Sequence, residues 1–263
     1  MTEQLTFGKI QLKKVKPDQP LLIIADSLKI MKGFPRNSID LIIDDVGYDD
    51  LEKDREIGTT TRLTEKSGTK WFDLVSYFQI MPIYSRILDK GRHIYFWRPS
   101  FNQGSIENWS KLIDPNSGIL IKYDFILRKI IPVLKKSPGM GYSWRSQHEM
   151  LLYAINSGRE KRNLNNKALK DFFDVEWIHP LSKNRVHTSE KPLEAYRLII
   201  ENSSKPNDIV LEPFAGSFQS AIANVKYNLK RKIIGIEIDE ENAMNAYNNF
   251  KKICDKPLEI MRL

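Results

Sequence analysis

The feature that most constrains the fold is an alternation of short apolar runs with helical patterns. Three runs lie in the first part of the chain: LLIIADS (21–27), IDLIID (39–44) and HIYFW (93–97). Two more, DIVLEPF (208–214) and KIIGIEID (232–239), bracket the helical pattern SAIANVKYNL. Strands separated by helices predict an α/β fold with a doubly wound, mostly parallel sheet.

The middle of the chain has weaker periodicity. Before it, the amphipathic stretch 71–88 predicts a helix that Pro82 kinks or ends. Residues from about 99 to 182 carry Asn, Lys, Arg and aromatic side chains, and we expect loops and helices there, on the carboxyl side of the sheet. The expected organisation is one α/β domain, residues 1–98 and 183–263, with 99–182 inserted.

Composition indicates a polyanionic partner. The chain has 41 Lys+Arg against 33 Asp+Glu, a net charge of +8, and a basic surface favours nucleic acid. A single cysteine, Cys254, excludes an internal disulfide framework and a cysteine-rich zinc site. The four histidines are scattered, so no metal site is expected. Without a signal-peptide profile or a long apolar run, we expect a cytoplasmic protein without a membrane partner.

A nucleotide-like ligand site is indicated near the end of the chain. The segment VLEPFAGS (210–217) is a strand that enters a small-residue turn before a helix, and IGIEID (234–239) is a second strand that ends in acids. In such sheets a ligand packs on the glycine turn, and an acid after the next strand accepts hydrogen bonds from ribose hydroxyls. Glu237 is the candidate acid.

A second signal lies at IIDDVGYDD (42–50), where an apolar strand ends in acids, a glycine and a tyrosine. This layout is typical of a parallel strand that delivers reactive groups at its carboxyl end.

These segments resemble the amino-group DNA methyltransferases of the β arrangement, which are S-adenosylmethionine-dependent adenine-N6 or cytosine-N4 enzymes. The resemblance covers nearly the whole chain. Four segments carry it: ADSL with NSIDLII (25–28, 37–43) resembles G-D-S/C-L with N-S-I-D-L-I, GMGYSWRSQHE (139–149) resembles G-M-G-Y-W-x-R-x-x-H-E, HTSEKP (187–192) resembles H-P-T-E-K-P, and EPFAG (212–216) resembles D-P-F-x-G.

The resemblance implies a Rossmann-like methyltransferase fold, S-adenosylmethionine as cofactor and double-stranded DNA as partner. Asp26 would contact the adenine of the cofactor and Glu237 its ribose. Around its methionine part would lie His187, Thr188, Lys191, Phe214, Gly216 and Ser217. Taken alone, Asp26 could instead cap a helix, and Glu237 could be a solvated strand end.

The resemblance also places target recognition in the inserted region. The DNA-binding candidates there are Lys135, Lys136, Tyr142, Arg145, Arg159, Lys161 and Arg162. The alternative for the basic residues is a solvated surface, and for Met140, Tyr142 and Trp144 it is packing in the core or in loops.

Asp45-Val46-Gly47-Tyr48 stands where the family has D-P-P-Y. Asp45 would accept a hydrogen of the target amine, and Tyr48 would stack on the flipped base. The family's prolines fix the backbone carbonyl that accepts the second hydrogen, and Val46 and Gly47 replace both. Phe218 replaces the second glycine of F-x-G-x-G, and we expect its ring to fill the cofactor pocket or displace the turn. The alternative is a bend that turns the ring into the core.

These departures favour a catalytically impaired subunit, weak or inactive alone, that supplies DNA binding or scaffolding to a heteromeric DNA adenine methyltransferase. Its partner would be a related chain or a second copy. Its cofactor would be S-adenosylmethionine if the site is functional, and there would be none if it is not. The first alternative is an active S-adenosylmethionine-dependent adenine or cytosine enzyme. Adenine is preferred because residues 51–62 resemble some phage and bacterial adenine enzymes. The second alternative is an RNA methyltransferase or RNA-binding relative.

Overall fold

One β-sheet organises the chain in a computed structural model, which describes residues 12–46, 77–98, 111–138, 144–158, 164–166, 168–177 and 190–263. Its strands are β1 Leu21–Ile24, β2 Ile39–Asp44, β3 Leu88–Arg98, β4 Phe125–Leu134, β5 His148–Asn156, β6 Phe173–Asp174, β7 Ile209–Glu212, β8 Lys232–Glu237 and β9 Glu259–Arg262. The spatial order of these nine strands is β6-β4-β5-β3-β2-β7-β8-β1-β9. Among them, β5 alone runs antiparallel to its neighbours.

Helices cover both faces of this sheet. Their bounds are α1 Ser27–Lys32, α2 Tyr77–Ile87, α3 Ile119–Lys122, α4 Leu193–Ser203, α5 Gln219–Lys226 and α6 Glu240–Ile253. Buried residues of α1, α2 and α3 form one hydrophobic cluster with the strands, and those of α4, α5 and α6 form another. The predicted doubly wound, mostly parallel α/β fold is therefore confirmed. No helix in the described ranges is long and apolar enough to cross a bilayer.

The central strands lie where the apolar runs predicted them. β2 has the predicted bounds, and β1 and β7 are buried at every position because helices pack on both sides. β3 begins at Leu88, earlier than the predicted run 93–97. Its first half carries charged residues, which hid it from a search for apolar runs. One of these, Arg92, pairs with Asp40 at 2.8 Å and Asp208 at 2.9 Å.

The expectation of loops and helices in the middle region is wrong for residues 125–134 and 148–156. These residues form β4 and β5, which extend the main sheet beyond β3. β4 is hard to read from sequence because it carries charges and Pro132 and is only partly buried. The division of the chain into a domain and an insert stays a prediction, with the sheet continuous through both parts.

The predicted amphipathic helix is present as α2, over Tyr77–Ile87. Pro82 lies inside α2 and does not end it. Residues 71–76 of the predicted helix lie outside the described ranges.

A topological switch point lies between β2 and β7. The chain leaves β2 toward β3 on one side and leaves β7 toward β8 on the other. Where connections diverge in this way, open α/β sheets generally bind ligands outside the carboxyl ends of the strands. Acids at this edge are Asp26 after β1, Asp44 and Asp45 at and after the end of β2, Glu212 at the end of β7 and Glu237 at the end of β8.

Candidate active site

The turn after β7, residues 213–217, is tied to its neighbours and is called the β7 turn below. Gly216 has φ 47°, a left-handed conformation that glycine adopts without steric cost. The Ala215 amide donates to the Ile236 carbonyl at 2.8 Å, and the Ser27 hydroxyl donates to the Pro213 carbonyl. The β7 turn is therefore anchored to both β8 and the start of α1.

Glu237 closes the β7 turn. Its Oε2 accepts from the Gly216 amide at 2.8 Å, and its Oε1 accepts from the Asp239 amide at 3.0 Å. Burial raises the pKa of Glu237, although these backbone donors oppose the shift. The alternative of a merely solvated strand end is wrong. The Ile238 amide is a third backbone donor to this carboxylate, which has about four lone-pair sites. The ribose contact stays a prediction.

Phe218 does not fill the ligand crevice, so that expectation is wrong. Its ring is 0% exposed and belongs to the hydrophobic core. A Cβ built at Gly235 would lie 2.5 Å from Phe218 Cε2, which shows that the ring lies against the backbone of β8. The backbone of Phe218 is left-handed, with φ 54° and ψ 49°. It therefore keeps a conformation that glycine adopts readily, at a cost of roughly 1–2 kcal/mol.

Asp26 caps helix α1, as the alternative proposed. Its Oδ1 accepts from the amides of Leu28 at 2.9 Å and Lys29 at 3.3 Å. This satisfies two of the otherwise unpaired donors at the start of α1. A contact with the adenine of a cofactor stays a prediction.

Asp45 belongs to a group of paired charges, Asp45, Lys191, Glu149 and Lys135, called the Lys191 network below. The Lys191 ammonium lies 3.2 Å from Asp45 Oδ1 and 3.0 Å from Glu149 Oε2. Glu149 Oε1 in turn lies 2.7 Å from the Lys135 ammonium. Burial alone would raise the pKa of Glu149, but the two ammonium groups outweigh it and hold that pKa below its usual range.

Lys191 is held in place on several sides. Its side chain is 5% exposed, and its ammonium lies 5.5 Å from the centre of the Trp97 ring. The preceding residue, Glu190, accepts a hydrogen bond from Gln219 Nε2 at 2.5 Å. Gln219 is the first residue of α5, directly after the β7 turn. The Glu190-Lys191 pair thus connects the β7 turn to Asp45.

Two further acids beside Asp45 are fully buried. Burial raises the pKa of Asp44 to about 7, and the Asp45 carboxylate adds to the shift. Burial likewise raises the pKa of Glu212 to about 8, against the opposing hydrogen bonds from Ser220 and Tyr196. Their buried surroundings therefore favour the protonated forms of Asp44 and Glu212.

Three of the DNA-binding candidates are described, and they differ in their surroundings. Lys135 is occupied by Glu149 and lies 4.9 Å from the centre of the Trp177 ring. Lys136 forms a solvent-exposed ion pair with Glu176 at 3.0 Å. Arg145 is exposed. Contact with DNA stays a prediction for all three.

The remaining site candidates fall into two groups. Phe214, Gly216 and Ser217 lie in the β7 turn, as expected, and Val46 is buried after β2. Outside the described residues lie Gly47, Tyr48, Tyr142, Arg159, Lys161, Arg162, His187 and Thr188.

Glu149 was missed as a site residue. It closes the QHE end of a family-like segment, so a signal was present in the sequence. Its meeting with Lys191 depends on β5 pairing with β3, which sequence analysis did not predict. The burial of Asp44, the acid before Asp45, was also missed. The sequence of β2 does not show which side chains pack around its last residue.

Residues 80–248 match the sequence profile of the N6/N4 DNA methylase family. The chain belongs to this family. The predicted family resemblance is thereby confirmed, and membership of a DNA methylase family implies DNA as the substrate.

Individual relatives agree with this assignment. The chain is 27% identical over 266 residues to the type II methyltransferase M.HinfI of Haemophilus influenzae, covering 91% of this chain and 70% of that one. It is 26% identical over 242 residues to the DNA adenine methyltransferase YhdJ of Escherichia coli K12, covering 84% and 79%. The fold is similar to M1.HpyAVI in complex with S-adenosylmethionine, with TM-score 0.60, 21% identity, and coverage of 87% and 98%.

The comparisons favour the enzyme alternative over the impaired subunit. The relatives just given are named as methyltransferases, and none of these comparisons supports a scaffold role or a related partner chain. The ring of Phe218, one of the two departures behind the impaired reading, lies in the core. The replacement of the two prolines after Asp45 remains.

Proposed function

We propose that the chain is an active S-adenosylmethionine-dependent DNA methyltransferase that modifies adenine at N6. The observation that carries the proposal is the position of Asp45. Its carboxylate lies at the end of β2, beside β7 and its turn, and is held there by Lys191 at 3.2 Å. The ring of Phe218 lies in the core and takes up no ligand space at this edge.

The residues at the β7 turn are suited to hold the cofactor. Gly216 has no side chain to obstruct a close approach. The Glu237 carboxylate has about four lone-pair sites for its three backbone amide donors, Gly216, Asp239 and Ile238, so it keeps acceptor capacity. Asp26 caps the start of α1, which lies at the same edge of the sheet. When bound, the cofactor supplies an electrophilic methyl group on a sulfonium sulfur.

Asp45 then acts on the base. The lone pair of an exocyclic amine is delocalised into the ring, so the nitrogen is a poor nucleophile. By accepting one amine hydrogen, the Asp45 carboxylate favours a tetrahedral nitrogen whose lone pair can be directed at the methyl group. Transfer would form the N–C bond as the S–C bond breaks, and the methylated nitrogen would release one proton to solvent while Asp45 remains its hydrogen-bond acceptor.

Adenine is favoured over cytosine by the adenine methyltransferase among the relatives and by the resemblance of residues 51–62. The cytosine-N4 reaction uses the same acceptor geometry and is the second candidate. A mass measurement of the product separates the two.

The test is methylation of unmethylated bacterial genomic DNA by the purified chain, followed by mass spectrometry of the nucleosides. We expect N6-methyladenine from the wild type and none from Asp45→Ala. Asp18→Ala is the matched control, since Asp18 is exposed and pairs only loosely with Lys256 at 3.9 Å. The control should retain full activity.

Other outcomes would support the rival functions. Methylation that requires an added partner chain and survives Asp45→Ala would restore the impaired-subunit hypothesis. Preference for RNA over duplex DNA in competition, maintained across salt concentrations, would support the RNA hypothesis, because a salt slope without preference reports only nonspecific charge.

A further inference from the structure

We propose that Lys191 is a positioning residue for the methyl transfer, acting through Asp45 and not through the cofactor. The proposal rests on the function proposed above and assigns a different role to a residue that the motifs place near the methionine part of the cofactor. The contacts of its ammonium group carry the argument.

The Lys191 ammonium lies between two carboxylates, 3.2 Å from Asp45 Oδ1 and 3.0 Å from Glu149 Oε2. The two acids come from strands on either side of β3, since Asp45 follows β2 and Glu149 lies in β5. With the lysine 5% exposed and both acids at most 20% exposed, solvent screens these pairs weakly. The ammonium therefore restrains the direction of the Asp45 carboxylate.

Glu149 makes this arrangement possible. If Asp45 were the only acid beside Lys191, the ammonium would be drawn wholly toward it. The ammonium would then occupy the carboxylate oxygens that the amine needs. A second carboxylate on the other side shares the ammonium, and Lys135 balances Glu149 in turn at 2.7 Å. Asp45 is thus oriented through its Oδ1 by an ammonium that it shares with Glu149.

The backbone of Lys191 is fixed independently of its charge. Glu190 binds Gln219 at the start of α5, and Pro192 leads directly into α4. The lysine is therefore set at a defined distance from the β7 turn. This placement would couple the position of the Asp45 carboxylate to that of the cofactor's methyl group at the β7 turn. Methyl transfer is sensitive to their relative geometry.

The experiment compares Lys191→Met, Lys191→Arg and the control Lys256→Met in the full chain. Lys256 belongs to an exposed pair, so the control removes a lysine with little structural consequence. We expect Lys191→Met to lower the single-turnover rate at saturating cofactor and DNA by about 100-fold. Dissociation constants for cofactor and DNA should stay near the wild-type values, and Lys191→Arg should recover part of the rate.

A second variant tests the sharing of the ammonium. Glu149→Gln leaves the ammonium to Asp45 alone, so it should lower the rate at saturation while the dissociation constant for the cofactor stays near the wild-type value. If Lys191→Met does not fold, Lys191→Arg decides, by the same split between rate and cofactor affinity. A large loss of cofactor affinity with an unchanged rate at saturation would overturn the proposal, since Lys191 would then contact the cofactor.

Failure of the proposed function is recognised separately. If the wild type methylates no DNA, carboxyl-carbon NMR of Asp45, assigned with Asp45→Asn, still reports on the pairing. Removal of Lys191 should move the Asp45 titration to higher pH, because a nearby ammonium favours the carboxylate. Asp44, Glu149, Glu212 and Tyr77 also face Asp45 among the described residues and are present in both samples. An unchanged titration would overturn the proposal by itself.

Discussion

The ring of Phe218 lies so close to Gly235 that a Cβ at Gly235 would be 2.5 Å from Cε2 of the ring. The two residues belong to neighbouring segments of one site, Phe218 to the start of α5 and Gly235 to β8. The absence of a side chain at Gly235 makes room for the ring of Phe218, which follows the β7 turn. A sequence change that suggested a blocked cofactor site is therefore a core contact.

Gly235→Ala should destabilise the protein by about 1–3 kcal/mol, because the added methyl group overpacks the space held by the Phe218 ring. The measurement is the free energy of unfolding in urea. The double variant Gly235→Ala/Phe218→Leu should lose less than the sum of the single changes, since the smaller side chain leaves room. Equal stabilities of wild type and Gly235→Ala would contradict the packing described.

Phe218→Leu should leave the affinity for S-adenosylmethionine unchanged while costing about 1 kcal/mol of stability. The ring lies in the core, so its removal opens no ligand space. Isothermal titration calorimetry gives the affinity, and urea unfolding gives the stability. Markedly tighter binding in the variant would mean that the ring obstructs the pocket after all.

Glu212→Gln should reduce the loss of stability that accompanies rising pH. Burial raises the pKa of Glu212 from 4.5 to about 8, so the folded protein holds this proton to higher pH than the unfolded chain does. Across that window, rising pH lowers the wild-type free energy of unfolding relative to the variant. Urea unfolding at several pH values tests this, with Glu259→Gln at the exposed sheet edge as control. Parallel curves for wild type and Glu212→Gln would refute it.

Arg145→Gln should lower the salt slope of DNA binding by about 0.9, the effect of losing one phosphate contact. Lys135→Gln should change the slope much less, because Glu149 already neutralises that ammonium at 2.7 Å. Fluorescence anisotropy at several salt concentrations measures both slopes. A larger effect at Lys135 than at Arg145 would show that the Lys191 network opens on DNA.

Much of the fold was readable because buried parallel strands are continuous apolar runs. β2 was predicted with its observed bounds, and β1, β7 and β8 were placed within a few residues. β4 and β5 were missed. β4 lies near one side of the sheet and carries charges and a proline at little cost, so its local pattern resembles that of a loop. β5 is a buried apolar run inside the sheet, so its signal was present in the sequence and was overlooked.

The sequence by itself determined the family, the doubly wound architecture and the edge of the sheet where the acids gather. These follow from local patterns, since periodicity and motif order need no knowledge of distant contacts. Only the tertiary structure decided where the ring of Phe218 points and what Lys191 binds. Both depend on residues that are far apart in the chain, Gly235 under the ring and Asp45 and Glu149 around the ammonium, which meet only when the strands pair.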